Sequence, residues 1–233
     1  SGSARHPSEA AFGRMRPRLL HAPQWTRLRG ARARRWPMPR LASDVRGVVY
    51  ASWWVDVRHA PLPPPGHHYV VHEGRTPYTI LSYRHGHFGP RAAGPLRALM
   101  PSPRQSHWRW YLRRDDDPQG MPVVLFDRNV MDQLAFVAGA RAFSDAMQPH
   151  LSTRFEHVVR ADGGGHTLIE GGQGSAPGLH LQWRAAEGLE ADAWTAAFGG
   201  RDALLRFLTC QDAAIARTCD QRWASTRIDL PVD

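Results

Sequence analysis

Between Arg46 and Asp127 the chain is written as a succession of β-branched and aromatic runs, each stopped by residues that a sheet rejects. "RGVVYASWWVDV" (46–57) suits a half-buried strand, and "APLPPPGHH" ends it, because consecutive prolines lack the N–H that a ladder needs. "HHYVVHEGRTPYTILSYRHGHF" reads as a hairpin turning at Glu73–Gly74, then a long strand from Thr76 to Phe88. "SHWRWYLRR" and "MPVVLFD" are further strands, joined by the turn residues of "DDDPQG", while "GPRAAGPLRALMPSP" is a proline-bracketed short helix or loop. Such a series confines the chain to folds built on antiparallel pairing.

Helical periodicity enters later. Asn129 is placed as an N-cap with Asp132 in a capping-box-like position, and Met131, Leu134, Ala138 and Ala142 form one apolar stripe up to Pro149. A second helix is expected from about Arg201 to Arg217, with Leu204, Leu205, Leu208 and Ile215 inward. Short strands are expected around "STRFEHVVRA" and "LHLQWRA", and a last one at "STRIDLPV". The expected fold class is α+β: a curled antiparallel sheet, cone- or barrel-like, with two or three helices packed outside.

Charge divides the chain of 233 residues. It contains no lysine, and all 30 basic residues are arginine. Residues 1–50 hold eleven arginines against Glu9 and Asp44, whereas the remainder is balanced at nineteen of each sign. Residues 1–37 are therefore expected to form an arginine-rich extension and residues 38–233 a single domain. The extension could meet phosphate or anionic lipid, but the body has no basic patch or zinc-finger spacing, so nucleic acid is not an expected partner beyond that arm. No apolar run is long enough to cross a membrane, and no hydrophobic leader is evident near the start. Cys210 and Cys219, nine positions apart beside a helix, fall on different faces and are not expected to pair. A reduced, cytoplasmic setting follows as the expectation. Neither a dinucleotide nor a P-loop fingerprint is present, so no cofactor is expected, and assembly into a homo-oligomer stays open.

The stretches "WWVDV…LPPP", "YTILSYRHGHFGP…GPLR…PSPRQSHWRWYL", "LFD…MDQLAFVAGAR" and "GGQGSAP" resemble bacterial proteins of unknown function related to acetoacetate decarboxylase. The resemblance spans roughly residues 38–233. It implies a cone-like antiparallel sheet around a pocket suited to a small organic acid or ketone. The decarboxylase of that superfamily forms an imine through a lysine amine. A chain with no lysine cannot use that route.

Two polar faces are candidates for a site. On the long strand, alternation places Thr79, Leu81, Tyr83, His85 and His87 together. The histidine pair is compatible with a shared metal, with proton transfer in a wet cavity, or with plain structural hydrogen bonding. A metal would need a distant third ligand such as His72, His107, Asp127 or Glu170. On the next strand Gln105, His107, Arg109 and Tyr111 share a face. That face either lines a pocket, with Arg109 forking a carboxylate, or is the outer, watered side. "GGQGSAPG" does not meet the G-x-S-x-G pattern around Ser175, so it reads as a turn.

The expectation is a protein that binds, and could convert without an imine, a small carboxylate- or carbonyl-bearing metabolite. His85 and His87 would handle protons, and Arg109, Tyr83, Tyr111 and His107 would contact the ligand. The alternatives are a non-catalytic carrier or interaction protein, and a metal-dependent enzyme using His85 and His87.

Overall fold

A computed structural model describes residues 41–144, 146–172, 174–185, 193–218 and 221–227 of the chain. The expected extension over residues 1–37, Cys219 and the end of the last expected strand lie outside these residues. In chain order the strands are β1 (Leu41–Ala42), β2 (Arg46–Asp56), β3 (His67–Tyr69), β4 (Arg75–Arg84), β5 (Gly89–Pro90), β6 (Arg104–Arg114), β7 (Val123–Met131) and β8 (Pro149–Leu151). They continue with β9 (Arg154–Val159), β10 (Gly165–Glu170), β11 (Leu179–Trp183), β12 (Ala213–Arg217) and β13 (Trp223–Arg227). The α-helices are α1 (Leu134–Phe143), α2 (Ala193–Phe198) and α3 (Arg201–Thr209), and short 3-10 helices span Val57–His59 and Arg91–Leu99.

One large sheet runs β13-β12-β7-β6-β4-β2, with β3 added on β6 and β8 on β7. A smaller sheet, β11-β10-β9, and the short pair β1-β5 stand beside it. Strands and helices therefore combine as expected, but the pairing is not wholly antiparallel. β7 runs parallel to both β8 and β12, because the chain leaves β7 through α1 before it returns as β8. Among the described residues the end strands β13 and β2 do not pair, so this sheet is open.

Both faces of the central strands are covered. On one face Trp110, Leu112, Val123, Leu125 and Ile215 form a core with Tyr69. On the other, Tyr111, Val124 and Ala214 pack under Leu204, Phe207 and Leu208 of α3. Tyr111, Leu112 and Val124 have no accessible surface, and apolar burial of this kind contributes roughly 1.5–3 kcal/mol per side chain.

Several expected boundaries move, each for a local reason. The Glu73–Gly74 turn forms, with both residues at positive φ (49° and 75°) and His72 bridged to Arg75. Its upstream arm, however, is claimed by β6 rather than by β4. β4 stops at Arg84, because the chain turns at His87 (φ 51°). Asn129 caps no helix: β7 continues through it to Met131, and it lies opposite His107 of β6. Asp132 stitches that strand end, accepting from the Arg104 backbone N–H at 2.9 Å and its guanidinium at 3.1 Å.

Because α1 starts only at Leu134, its phase differs from the expected stripe. Leu134 is 54% exposed, while Val137 and Arg141 turn inward. In α3 Leu205 likewise faces out, and Ile215 belongs to β12, since the helix ends at Thr209.

Candidate functional site

Tyr83 on β4, His85 just past its end, and Gln105 and His107 on β6 share the face beneath α1 and α3, with Tyr83 opposite Gln105 and Leu81 opposite His107. This face is interior, which rejects the watered alternative: Gln105, Arg109 and Tyr111 are 9%, 4% and 0% exposed. Gln105 is the hub. Its Oε1 lies 2.6 Å from His85 Nε2 and accepts from the Tyr83 hydroxyl at 3.0 Å. Its amide nitrogen meets His107 Nε2 at 2.8 Å and donates to Asn129 Oδ1 at 2.7 Å.

These contacts define the tautomers. A carbonyl oxygen only accepts, so His85 carries its proton on Nε2, and its Nδ1 accepts from the Ser43 hydroxyl at 2.7 Å. His107 Nε2 accepts from the Gln105 amide, which makes its ring neutral. Burial drives both imidazoles away from the charged form. His85 is lowered by desolvation, and His107 is pushed down to about 3 by desolvation, with the Arg109 charge adding to it. Burial also raises both tyrosine hydroxyls, Tyr83 and Tyr111, above the usual phenol range, that of Tyr83 by a wide margin.

Arg109 faces elsewhere. Its guanidinium donates to the Leu208 carbonyl at 2.9 Å and lies 5.3 Å and 5.5 Å from the Tyr50 and Tyr111 ring centroids. The Tyr111 hydroxyl and the Gln211 amide also donate to that carbonyl, at 3.2 Å and 2.8 Å. Three donors thus cap the last turn of α3, where unpaired carbonyls leave a partial negative charge. No carboxylate pairs with Arg109 among the described residues, and its buried Nε has no partner there.

The expected His85–His87 pair is split. His85 points inward, whereas His87 pairs outward with Asp44 at 3.0 Å. The reason is the strand end at Arg84: two-residue alternation does not extend through a left-handed turn. Asp44 also faces Arg97 at 3.7 Å, so one exposed carboxylate ties β1 to the 91–99 segment. No group of three or more possible metal ligands occurs among the described residues, so His72, Asp127 and Glu170 do not complete a set with either histidine.

Above the hub lies a cavity of about 430 Å³. Phe88, Met100, Met131 and Phe136 give it apolar walls, and Gln105 and Asn129 are its amide floor. Phe88 is sandwiched between the His85 ring, stacked at 4.2 Å, and Phe136 at 5.2 Å. On the α1 side the wall is small, formed by Ala135, Gly139 and Ala140. A Cβ built on Gly139 meets no atom within 4 Å among the described residues, so the cavity is open there.

A second cleft, about 340 Å³, lies against the outer part of β7 and is polar, with Arg128, Arg141, His150 and Arg217 on its walls. Behind it the Ser175 hydroxyl accepts from Arg141 at 3.0 Å and meets His150 Nδ1 at 3.2 Å.

The structure therefore joins Tyr83, His85 and His107 in one network and sets Arg109 and Tyr111 at the end of α3, with His87 on the surface. Sequence reasoning missed Asn129, read as a cap, and the α1 residues of the wall. The run Ala135-Phe136-Val137-Ala138-Gly139-Ala140 was the available signal, since a helix with so little side-chain volume leaves space wherever it packs. No family model matches the chain, and no curated protein or solved structure matches it.

Proposed function

We propose that this chain binds a small, largely apolar metabolite carrying a carbonyl or carboxylate oxygen, held in the cavity between α1 and the ends of β6 and β7. One observation carries the reading: an apolar cavity of about 430 Å³ whose polar floor, among the described residues, is made of Gln105 and Asn129. That size and that mix of lining suit a small-molecule site. Gln105 has both lone pairs and both amide hydrogens engaged, so it is a fixed support. Asn129 donates one amide hydrogen to the Met147 carbonyl at 3.1 Å, and the other, with no acceptor among the described residues, can meet a ligand oxygen.

Carriage is favoured over turnover by the engagement of His85 and His107, both neutral and hydrogen-bonded within the protein. The resemblance to acetoacetate decarboxylase relatives agrees with a small acid or ketone as the occupant, and the cone-like curvature it implies belongs to the same proposal. The chain has no lysine for an imine. The test is a thermal-shift screen of small carboxylates and ketones against the wild type and Gly139→Leu. Ligands that raise the wild-type Tm should lose that effect in the variant. Equal shifts in both proteins would refute the cavity as the site.

A further inference from the structure

The apolar cavity and the polar cleft are neighbours built from the same two elements. β7 contributes Met131 to the cavity and Phe126 and Arg128 to the cleft, and Asn129 lines both. α1 repeats the division: Phe136 and Gly139 face the cavity, while Arg141 faces the cleft. Among the described residues the cleft lining is cationic, with Arg128, Arg141 and Arg217 opposed there by Asp127, which lies 3.4 Å from Arg128. Arg217 lies 4.5 Å above the Trp223 ring and donates to Gln221 at 3.1 Å, an arrangement that presents its charge at the mouth. Arg141 is anchored by bonds to the Pro149 carbonyl and to Ser175, so its charge is fixed in place.

We infer that the two compartments form one site for an amphiphilic anion: its apolar body occupies the cavity under α1, and its carboxylate passes Asn129 into the arginine cleft. The inference rests on the cavity reading above and names the ligand class that reading leaves broad. A neutral ketone would fill only the cavity. A carboxylate with an alkyl or aryl body gains both compartments, because its charge meets guanidinium donors and its chain leaves water. Asn129 at the boundary would donate its second amide hydrogen to the carboxylate oxygen nearest the chain.

The test compares decanoate with 1-decanol, probes that share a body and differ in head charge. Affinities are measured by calorimetry on the full chain, in the wild type, Arg217→Gln and Gly139→Leu. Arg217 is exposed, so its replacement leaves the core untouched. The expected result is decanoate binding tighter than decanol by about fivefold or more, as a charge-assisted contact provides. Arg217→Gln should reduce that advantage and leave decanol unchanged, and Gly139→Leu should abolish both. Added salt should weaken decanoate only.

Equal binding of the two probes, unaffected by Arg217→Gln but blocked by Gly139→Leu, would overturn the inference and leave the cavity reading intact. A decanoate preference that survives Gly139→Leu would place the anion in the cleft alone and overturn the joined site. Failure of both probes to bind, or loss in neither variant, would remove the cavity reading and the inference together. Circular dichroism and Tm confirm that each variant is folded, and Ala140→Leu serves as a second filling variant if Gly139→Leu unfolds.

Discussion

Gln105 stands between two imidazoles: its carbonyl oxygen is 2.6 Å from His85 Nε2 and its amide nitrogen 2.8 Å from His107 Nε2. The amide serves both, since one end accepts and the other donates. The residue thus decides the protonation pattern of the cavity floor. An apolar side chain at this position would take this partner from both rings.

Replacing Gln105 with Leu should therefore be costly. The change strands buried groups on Tyr83, His85, His107 and Asn129. Each stranded group costs about 1–3 kcal/mol, so a total loss of roughly 3 kcal/mol or more is expected in urea unfolding. A loss under about 1 kcal/mol would mean that water takes over these bonds.

Stability should fall on mild acidification. The folded pKa of His107 is about 3 against a model-peptide value of 6.5, so between these limits the unfolded chain binds the extra proton. The stabilisation is fully present above pH 6.5 and is lost as pH falls toward 3, at up to about 1.4 kcal/mol per pH unit. His85 and His157 are lowered too and act in the same direction. Urea melts at pH 7.5, 6 and 5 check this, and His107→Gln should flatten the profile. A profile as steep in the variant as in the wild type would assign the effect to other groups.

Much of this was readable in the sequence, and the failures are instructive. Strict alternation placed Gln105, His107, Arg109 and Tyr111 on one face, because side chains of a strand have no other option. It could not say that this face would be interior as well as the other: its cover comes from α1 and from α2 and α3, which arrive 80 or more positions later in the chain. His87 was misplaced because a left-handed residue interrupts the period without any glycine or proline at its own position. Asn129 was misread because a capping pattern and a strand end share the same polar residues, and Asp132 served the Arg104 backbone instead of a helix. The wall of the cavity is a matter of missing volume, which motifs do not record.

Arg109→Met should act on α3 more than on the ligand. The substitution removes a donor from the Leu208 carbonyl and a positive charge from the C-terminal end of the helix. Faster hydrogen exchange over the last turn of α3 and a lower Tm are expected, with little change in affinity at the cavity. A large loss of affinity for every acid that binds would restore Arg109 as the anion anchor.

Asp44→Ala should loosen the rim. The Asp44 carboxyl is held below the usual range chiefly by its hydrogen bond to His87, with Arg97 adding to it. Without it the 91–99 segment, which buries none of its own residues, loses its tie to β1. Hydrogen exchange should rise locally between His87 and Met100 while the Tm hardly moves. Unchanged exchange there would show that the backbone bonds between Asp44 and Gly86, both 2.8 Å, suffice.

The most direct measurement is a titration followed by the methyl signals of labelled methionines. Met100 and Met131 line the cavity, Met147 lines the neighbouring cleft, and Met121 is 55% exposed and lines neither. With a ligand that raises the Tm, saturable shifts at Met100 and Met131 and none at Met121 are predicted. Saturable binding that leaves Met100 and Met131 unmoved would contradict the account.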